Sequence, residues 1–203
     1  MKILLLFSVK RTNSENKKNN NNKRMSYTKK QLVRKYRDLE KRKEIDLRAL
    51  QLRSIEKDLF NGLTNLTKLN LSGNQLKSLD KDLFKDLNSL TLINLRWNQL
   101  ESLDADLFHS LLKLESIHLN GNNLVVIDKN QFNGLTNLKE IYLCNNQLKH
   151  IPREIFKGLF KLEDIYLGGN KLNCERLNVN LEASVRFISF KSKFENNIDS
   201  IIK

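Results

Sequence analysis

LTKLNLSGNQLKSLDKDLFKDLNS, from Leu66 to Ser89, is followed without a gap by LTLINLRWNQLESLDADLFHSLLK, LESIHLNGNNLVVIDKNQFNGLTN and LKEIYLCNNQLKHIPREIFKGLFK. Four blocks of 24 residues thus run from Leu66 to Lys161 in one register. Asparagines recur at that step (Asn74, Asn98, Asn122, Asn146, Asn170), and so do phenylalanines (Phe60, Phe84, Phe108, Phe132, Phe156). Such a period means a solenoid, in which each coil is one structural unit that cannot bury its apolar face without a neighbour.

The apolar columns hardly vary. Leu66, Leu90, Leu114, Leu138 and Leu162 form one; Leu69, Ile93, Ile117, Ile141 and Ile165 a second; Leu71, Leu95, Leu119, Leu143 and Leu167 a third. Between the second and third columns the alternation has period two, which predicts a short strand with Leu69 and Leu71 inward and Lys68, Asn70 and Ser72 outward. A weaker copy precedes them, with Ile45, Leu47, Leu52, Ile55, Phe60 and Leu63 in the right columns and Leu50 where the asparagine belongs.

At these residues the chain resembles the leucine-rich repeat superfamily, in its 24-residue class with the pattern L-x-x-L-x-L-x-x-N-x-L and a downstream phenylalanine. The resemblance implies an α/β solenoid: a right-handed horseshoe of five to six coils, with a parallel sheet on the concave face and irregular or short helical returns on the convex face. It also implies non-catalytic protein recognition, of an extracellular adhesion or receptor type. The asparagines have a structural explanation: a short amide can satisfy backbone groups left without ladder partners where the chain leaves the strand. The phenylalanines are expected to stack along the convex side.

Charge divides the chain. Residues 1–43 hold 15 lysines and arginines against three acidic residues, and residues 44–203 hold 21 against 20, so the net charge of +13 belongs almost entirely to the N-terminal part. A basic total is therefore no evidence that the solenoid itself binds polyanions. We expect three regions: a basic low-complexity tail over 1–43, the solenoid over 44–173 and a degenerate C-terminal cap over 174–203. Within the tail, NSENKKNNNNKR from Asn13 is low-complexity. Leu32, Tyr36 and Leu39 lie at helical spacing, and Thr28 with Gln31 forms a candidate capping box.

Several functional readings of the tail stay open beside a plain solvated extension. Met1 to Val9 is a short apolar stretch after Lys2 that runs into Lys10 and Arg11 without a small-residue cleavage pattern, a poor signal peptide. Lys29 and Lys30, with Lys41, Arg42 and Lys43, fit a bipartite nuclear pattern. The whole tail also reads as an electrostatic arm for nucleic acid or anionic surfaces. No run reaches the length of a membrane span.

Cysteine usage departs from the resemblance. Extracellular relatives close their solenoid ends with disulfide-bonded caps; here Asn170 and Cys174 match the start of such a cap, but Arg176 stands at the second cysteine, and Cys144 is the other cysteine of the chain. Cys144 belongs to an outward strand column and Cys174 lies past the next turn, so no bridge between them is expected. Leu181, Val185, Phe187, Ile188 and Phe190 are expected to cover the last coil. Asn65-Leu66-Thr67 and Asn70-Leu71-Ser72 are glycosylation sequons that matter only if the chain is secreted.

The outward strand positions read Asp46, Asn70, Asn94, His118, Tyr142 and Tyr166 in one row, and Arg48, Ser72, Arg96, Asn120, Cys144 and Gly168 in the next. Interfaces concentrate aromatic residues and arginine as anchors. Leu92, which we expect to be exposed, with Arg96, Trp97, His118, Tyr142 and Tyr166, forms the candidate partner-binding patch; the plainer reading is cross-strand aromatic pairing. An enzyme would need His118 and Cys144, diagonal neighbours on adjacent strands. No carboxylate is evident to orient the imidazole, an open sheet excludes little water, and two ligands do not complete a metal site. No catalytic residue, cofactor or metal is therefore expected.

Overall fold

The computed structural model describes residues 26–172 and the backbone of 186–188. The repeat builds one parallel sheet of three-residue strands: β2 (Glu44–Asp46), β4 (Lys68–Asn70), β5 (Leu92–Asn94), β6 (Ser116–His118), β7 (Glu140–Tyr142), β8 (Asp164–Tyr166) and β9 (Arg186–Ile188). Neighbours pair in a register of 24 residues from β2 to β8, so Ile45, Leu69, Ile93, Ile117, Ile141 and Ile165 stand side by side. About six stacked turns result, with irregular returns on the other side of the core. The expected C-terminal cap lies outside the described residues except for β9, which adds a parallel strand beyond β8 with Phe187 opposite Ile165.

The core is the set of columns read from the sequence. Leu66, Leu69, Leu71, Leu76, Leu87 and their counterparts in the following coils are buried, save the partly buried Leu172 of the last, and are joined by Phe60, Phe84, Phe108, Phe132 and Phe156. Phe60, Phe84 and Phe108 stack as expected, with centroids 6.3 and 6.2 Å apart.

The asparagine ladder does what the missing strand bonds require. Asn122 Nδ2 donates to the carbonyls of Leu95 (3.1 Å) and Leu119 (2.9 Å), and its Oδ1 accepts from the amide of Leu100 (3.0 Å). Asn98 repeats the pattern one coil earlier with Leu71, Leu95 and Leu76, and Asn146 one coil later with Leu119, Leu143 and Leu124. Each amide thereby stitches its own coil to the preceding one. In the first coil, where Leu50 replaces the asparagine, Asn74 accepts from the amides of both Leu50 and Leu52.

The chain before β2 closes the open end of the stack. Thr28 and Gln31 form the capping box: Gln31 N donates to Thr28 Oγ1 (3.3 Å) and Thr28 N to Gln31 Oε1 (2.8 Å). Helix α1 (Lys29–Lys35) follows, and a 3-10 turn at Leu39–Lys41. Leu32 and Leu39 are buried in the solenoid core, and β1 (Ser26–Tyr27) pairs with β3 (Ser54–Ile55). The helix stops before Tyr36 because Tyr36 is extended and committed elsewhere: its hydroxyl donates to the Asp46 carbonyl (2.7 Å) and accepts from the Asp46 amide (2.8 Å). Basic residues of this stretch serve the closure. Lys29 Nζ donates to the Asn61 carbonyl, Lys35 Nζ to the Asp46 carbonyl and Arg42 Nε to the Arg37 carbonyl, while Asn65 Nδ2 reaches the Glu40 carbonyl.

One core position breaks the apolar rule. Leu59, Leu83, Leu107 and Ile155 fill the column before the phenylalanine, and Gln131 takes that place in the fourth coil at 2% exposure. Its Nε2 donates to the Asp104 carbonyl, but its Oε1 has no partner among the described residues. A buried unsatisfied acceptor costs about 1–3 kcal/mol. Gln131→Leu should therefore stabilise the protein by about 1–2 kcal/mol, seen as a higher urea midpoint at unchanged slope.

Candidate functional site

Strand register builds the site. His118, Tyr142 and Tyr166 stand opposite one another on β6, β7 and β8. Because neighbouring strands are about 4.8 Å apart, rings at matched positions must either meet or splay, and here they meet, the first pair tilted and the second stacked. His118 and Tyr142 have centroids 4.4 Å apart with planes at 56°, and Tyr142 and Tyr166 are 4.2 Å apart and nearly parallel. Burial, followed by a hydrogen bond with Tyr166, raises the Tyr142 phenol well above its usual range, so Tyr142 is uncharged.

Arg96 and Trp97 end the third coil's strand segment and are both exposed. Trp97 occupies the turn column before the ladder asparagine, which is left-handed in every coil: Ala49, Gly73, Trp97, Gly121, Asn145 and Gly169 have φ between 54° and 72°. Glycine suits that conformation, whereas a bulky side chain there costs about 1–2 kcal/mol. Trp97 is nevertheless 56% exposed. Its ring lies against Gly121, where an added Cβ would stand 2.6 Å from Cζ3. Gly121→Ala should cost about 1–2 kcal/mol through its positive φ and push the indole aside. As Trp97 is the one tryptophan of the chain, its fluorescence emission reports that displacement directly.

The six patch residues thus separate into the row His118, Tyr142 and Tyr166, the turn residues Arg96 and Trp97, and Leu92. Leu92 is partly buried, contrary to its expected exposure, because β4 and β6 flank it with Lys68 and Ser116 in register. Ser72 and Asn94, also read as outward, are buried for the same reason: short side chains on a tightly spaced sheet are covered by their neighbours.

The absence of a carboxylate near His118 is corrected by the structure. Glu140 stands opposite Ser116, and Ser116 Oγ donates to Glu140 Oε2 at 3.0 Å while lying 3.1 Å from His118 Nε2. The 24-residue step placed this pair in the sequence, and arithmetic on the register, 116 to 140, would have found it. The order of groups differs from that of a hydrolytic triad, where histidine stands between the hydroxyl and the acid. Here serine stands between, so its proton is held by the carboxylate. Burial lowers the His118 pKa from 6.5, with Arg96 acting in the same direction and Glu140 opposing. Cys144 is a half-buried free thiol whose pKa burial raises, the reverse of what an activated nucleophile needs. Cys174 lies outside the described residues. Among the described residues no cluster of three or more metal-ligating side chains occurs, and no helix is long and apolar enough to cross a membrane.

A family profile described as leucine rich repeat matches residues 43–100, 93–143 and 112–172, about two thirds of the chain. The protein belongs to the leucine-rich repeat family. No curated protein matches it. Among solved structures, the leucine-rich repeat chain is similar to TLR13 in a TLR13-ssRNA13 complex, with 31% identity over 65% of this chain and 18% of that one, at a TM-score of 0.60. It is also similar to the APL1 leucine-rich repeat domain (24% identity, 73% and 37% covered, TM-score 0.66) and to a chain of an LRIM1/APL1C complex (24%, 72% and 26%, 0.65). At that identity the latter two show the fold alone. The chain spans less than two fifths of each of these proteins. The leucine-rich repeat fold is generally a non-enzymatic scaffold for protein interaction, and the site described above is consistent with that use.

Proposed function

We propose that this leucine-rich repeat protein is a non-catalytic recognition module that binds a protein partner on its concave face, as part of an extracellular adhesion or receptor type of assembly. Trp97 is the observation that carries the reading. A large aromatic residue held more than half exposed, in a conformation that glycine would adopt without strain, takes no part in the buried core, and strain of this kind concentrates at functional positions. Beside it, Arg96 and the row His118, Tyr142 and Tyr166 supply the rigid aromatic area and cation that interface centres favour. The patch acts by excluding water around these anchors; no bond is made or broken. Trp97→Gly should keep the fold, since glycine suits the turn, and abolish recovery of the partner by affinity purification from the native source. Recovery unchanged in Trp97→Gly and in Tyr142→Ala would overturn the proposal.

A second reading, an intracellular adaptor with a basic arm, draws on the seven lysines and arginines against one glutamate in residues 1–25. Basic residues from Lys29 onward are in part engaged in closing the solenoid, so the arm is shorter than the full basic stretch. One similar protein was solved with single-stranded RNA, which keeps a polyanion on the list of ligands to test. Retention on heparin or RNA at low salt that vanishes on deletion of residues 1–25 supports the arm; retention that persists assigns polyanion contact to the solenoid.

A further inference from the structure

Ser116 and His118 are two residues apart on β6 and so face the same side, and β7 brings Glu140 opposite Ser116. Ser116 is buried, its hydroxyl donating to Glu140 Oε2 at 3.0 Å and lying 3.1 Å from His118 Nε2. A serine hydroxyl has one proton to give, and an ionised carboxylate only accepts. With that proton committed to Glu140, Oγ meets the imidazole as an acceptor, and Nε2 must carry the hydrogen.

We propose that Ser116 and Glu140 are positioning residues that lock His118 as its Nε2–H tautomer and leave Nδ1 as a bare acceptor on the recognition surface. Nδ1 has no hydrogen-bond partner among the described residues, and Tyr142 closes one side of the ring at 4.4 Å. The group a partner brings to His118 is therefore a hydrogen-bond donor, such as a main-chain amide or a lysine, arginine or hydroxyl side chain. This use of the acceptor rests on the recognition proposal; the lock itself is a property of the unliganded chain. Protonation of His118 fills Nδ1 and removes the acceptor. The groups facing it are Asn94 and Arg96 from β5 and the residues after it, Glu140, Tyr142 and Cys144 from β7 and the turn beyond, and Ser116 and Asn120 from its own coil.

Nitrogen-15 NMR of the imidazoles in the full chain, above the His118 titration, tests the lock. His118 should show a single Nε2–H form, while exposed His150 shows the mixture of a free imidazole. Ser116→Ala should bring His118 to the His150 ratio, and Ser116→Thr, which keeps the hydroxyl, should restore the single form. Glu140→Gln should move the His118 titration midpoint down and Arg96→Gln should move it up, a pattern that a packing role alone would not produce. A mixed or Nδ1–H form in the wild type, or a ratio unaltered by Ser116→Ala, overturns the proposal. Since no partner enters the measurement, a failed lock leaves the recognition proposal standing, and a locked His118 in a protein whose Trp97 and Tyr142 variants keep their partner counts against recognition alone.

Discussion

Asn122→Ala should lower the free energy of unfolding by about 3–5 kcal/mol, one of the two largest effects expected from any single substitution in the molecule. The amide is buried and serves three backbone groups: the carbonyls of Leu95 and Leu119 and the amide of Leu100. These lie on the inner side of a tight turn, where the Leu95 and Leu119 carbonyls each accept a second bond, from Asn98 and Asn146, and the Leu100 amide has Asn122 as its acceptor. A methyl group leaves the Leu100 amide unsatisfied, at about 1–3 kcal/mol, and takes one bond from each of the two carbonyls, at about 0.5–1.5 kcal/mol apiece. Asn123 supplies the control, because it is adjacent, only partly buried and makes no side-chain hydrogen bond that the ladder needs. Its replacement by alanine should change stability by no more than about 0.5 kcal/mol. Urea denaturation of the two variants side by side gives the comparison, and equal effects would contradict the role assigned to the ladder.

Phe108→Ala is expected to match it, at about 3–5 kcal/mol. Phe108 is fully buried and stacks on Phe84 at 6.2 Å with planes 5° apart, in a column that continues to Phe60. Removing the ring leaves a cavity that the returns on either side can close only by breaking the 24-residue step, and it takes away an aromatic pair worth about 0.5–1.5 kcal/mol beyond its area. Phe160 makes the contrast: it is 72% exposed, and Phe160→Ala should stay within about 0.5 kcal/mol. In a stack where each coil contacts its neighbours, loss at Phe108 should also broaden the transition, as the coils on its two sides begin to melt independently. A cooperative transition with the midpoint of the wild type would contradict this.

Much of this architecture was legible because the repeat writes the same information five times. Inward columns, the asparagine ladder and the phenylalanine stack each follow from one period, and an error in one coil is corrected by the others. The concave rows were legible for the same reason, since a fixed register turns sequence spacing into strand adjacency. What the period does not encode was read less well. Leu92, Ser72 and Asn94 point outward by alternation, yet their accessibility depends on the neighbours that cover them. The Ser116 to Glu140 contact is an interaction between unlike residues in different coils, which aligned columns of like residues conceal. Trp97 was noticed as an aromatic residue, but its strain became apparent only from the turn, where Gly73, Gly121 and Gly169 mark the left-handed column. The closure of the first coil by residues 26–41 was hidden because it is not a repeat: the capping box of Thr28 and Gln31 was readable, while the use of Lys29 and Lys35 as donors to solenoid carbonyls was masked by a composition that reads as a tail.

The recognition surface is tested most directly by site-specific photocrosslinking in the native source, with a photoreactive phenylalanine in place of Tyr142 in one variant and of Asp106, on the convex return, in another. The account predicts a discrete adduct of one protein from position 142, suppressed when Trp97→Gly is added, and none of that mass from position 106. The same adduct from both positions, or an adduct from position 106 alone, would contradict it.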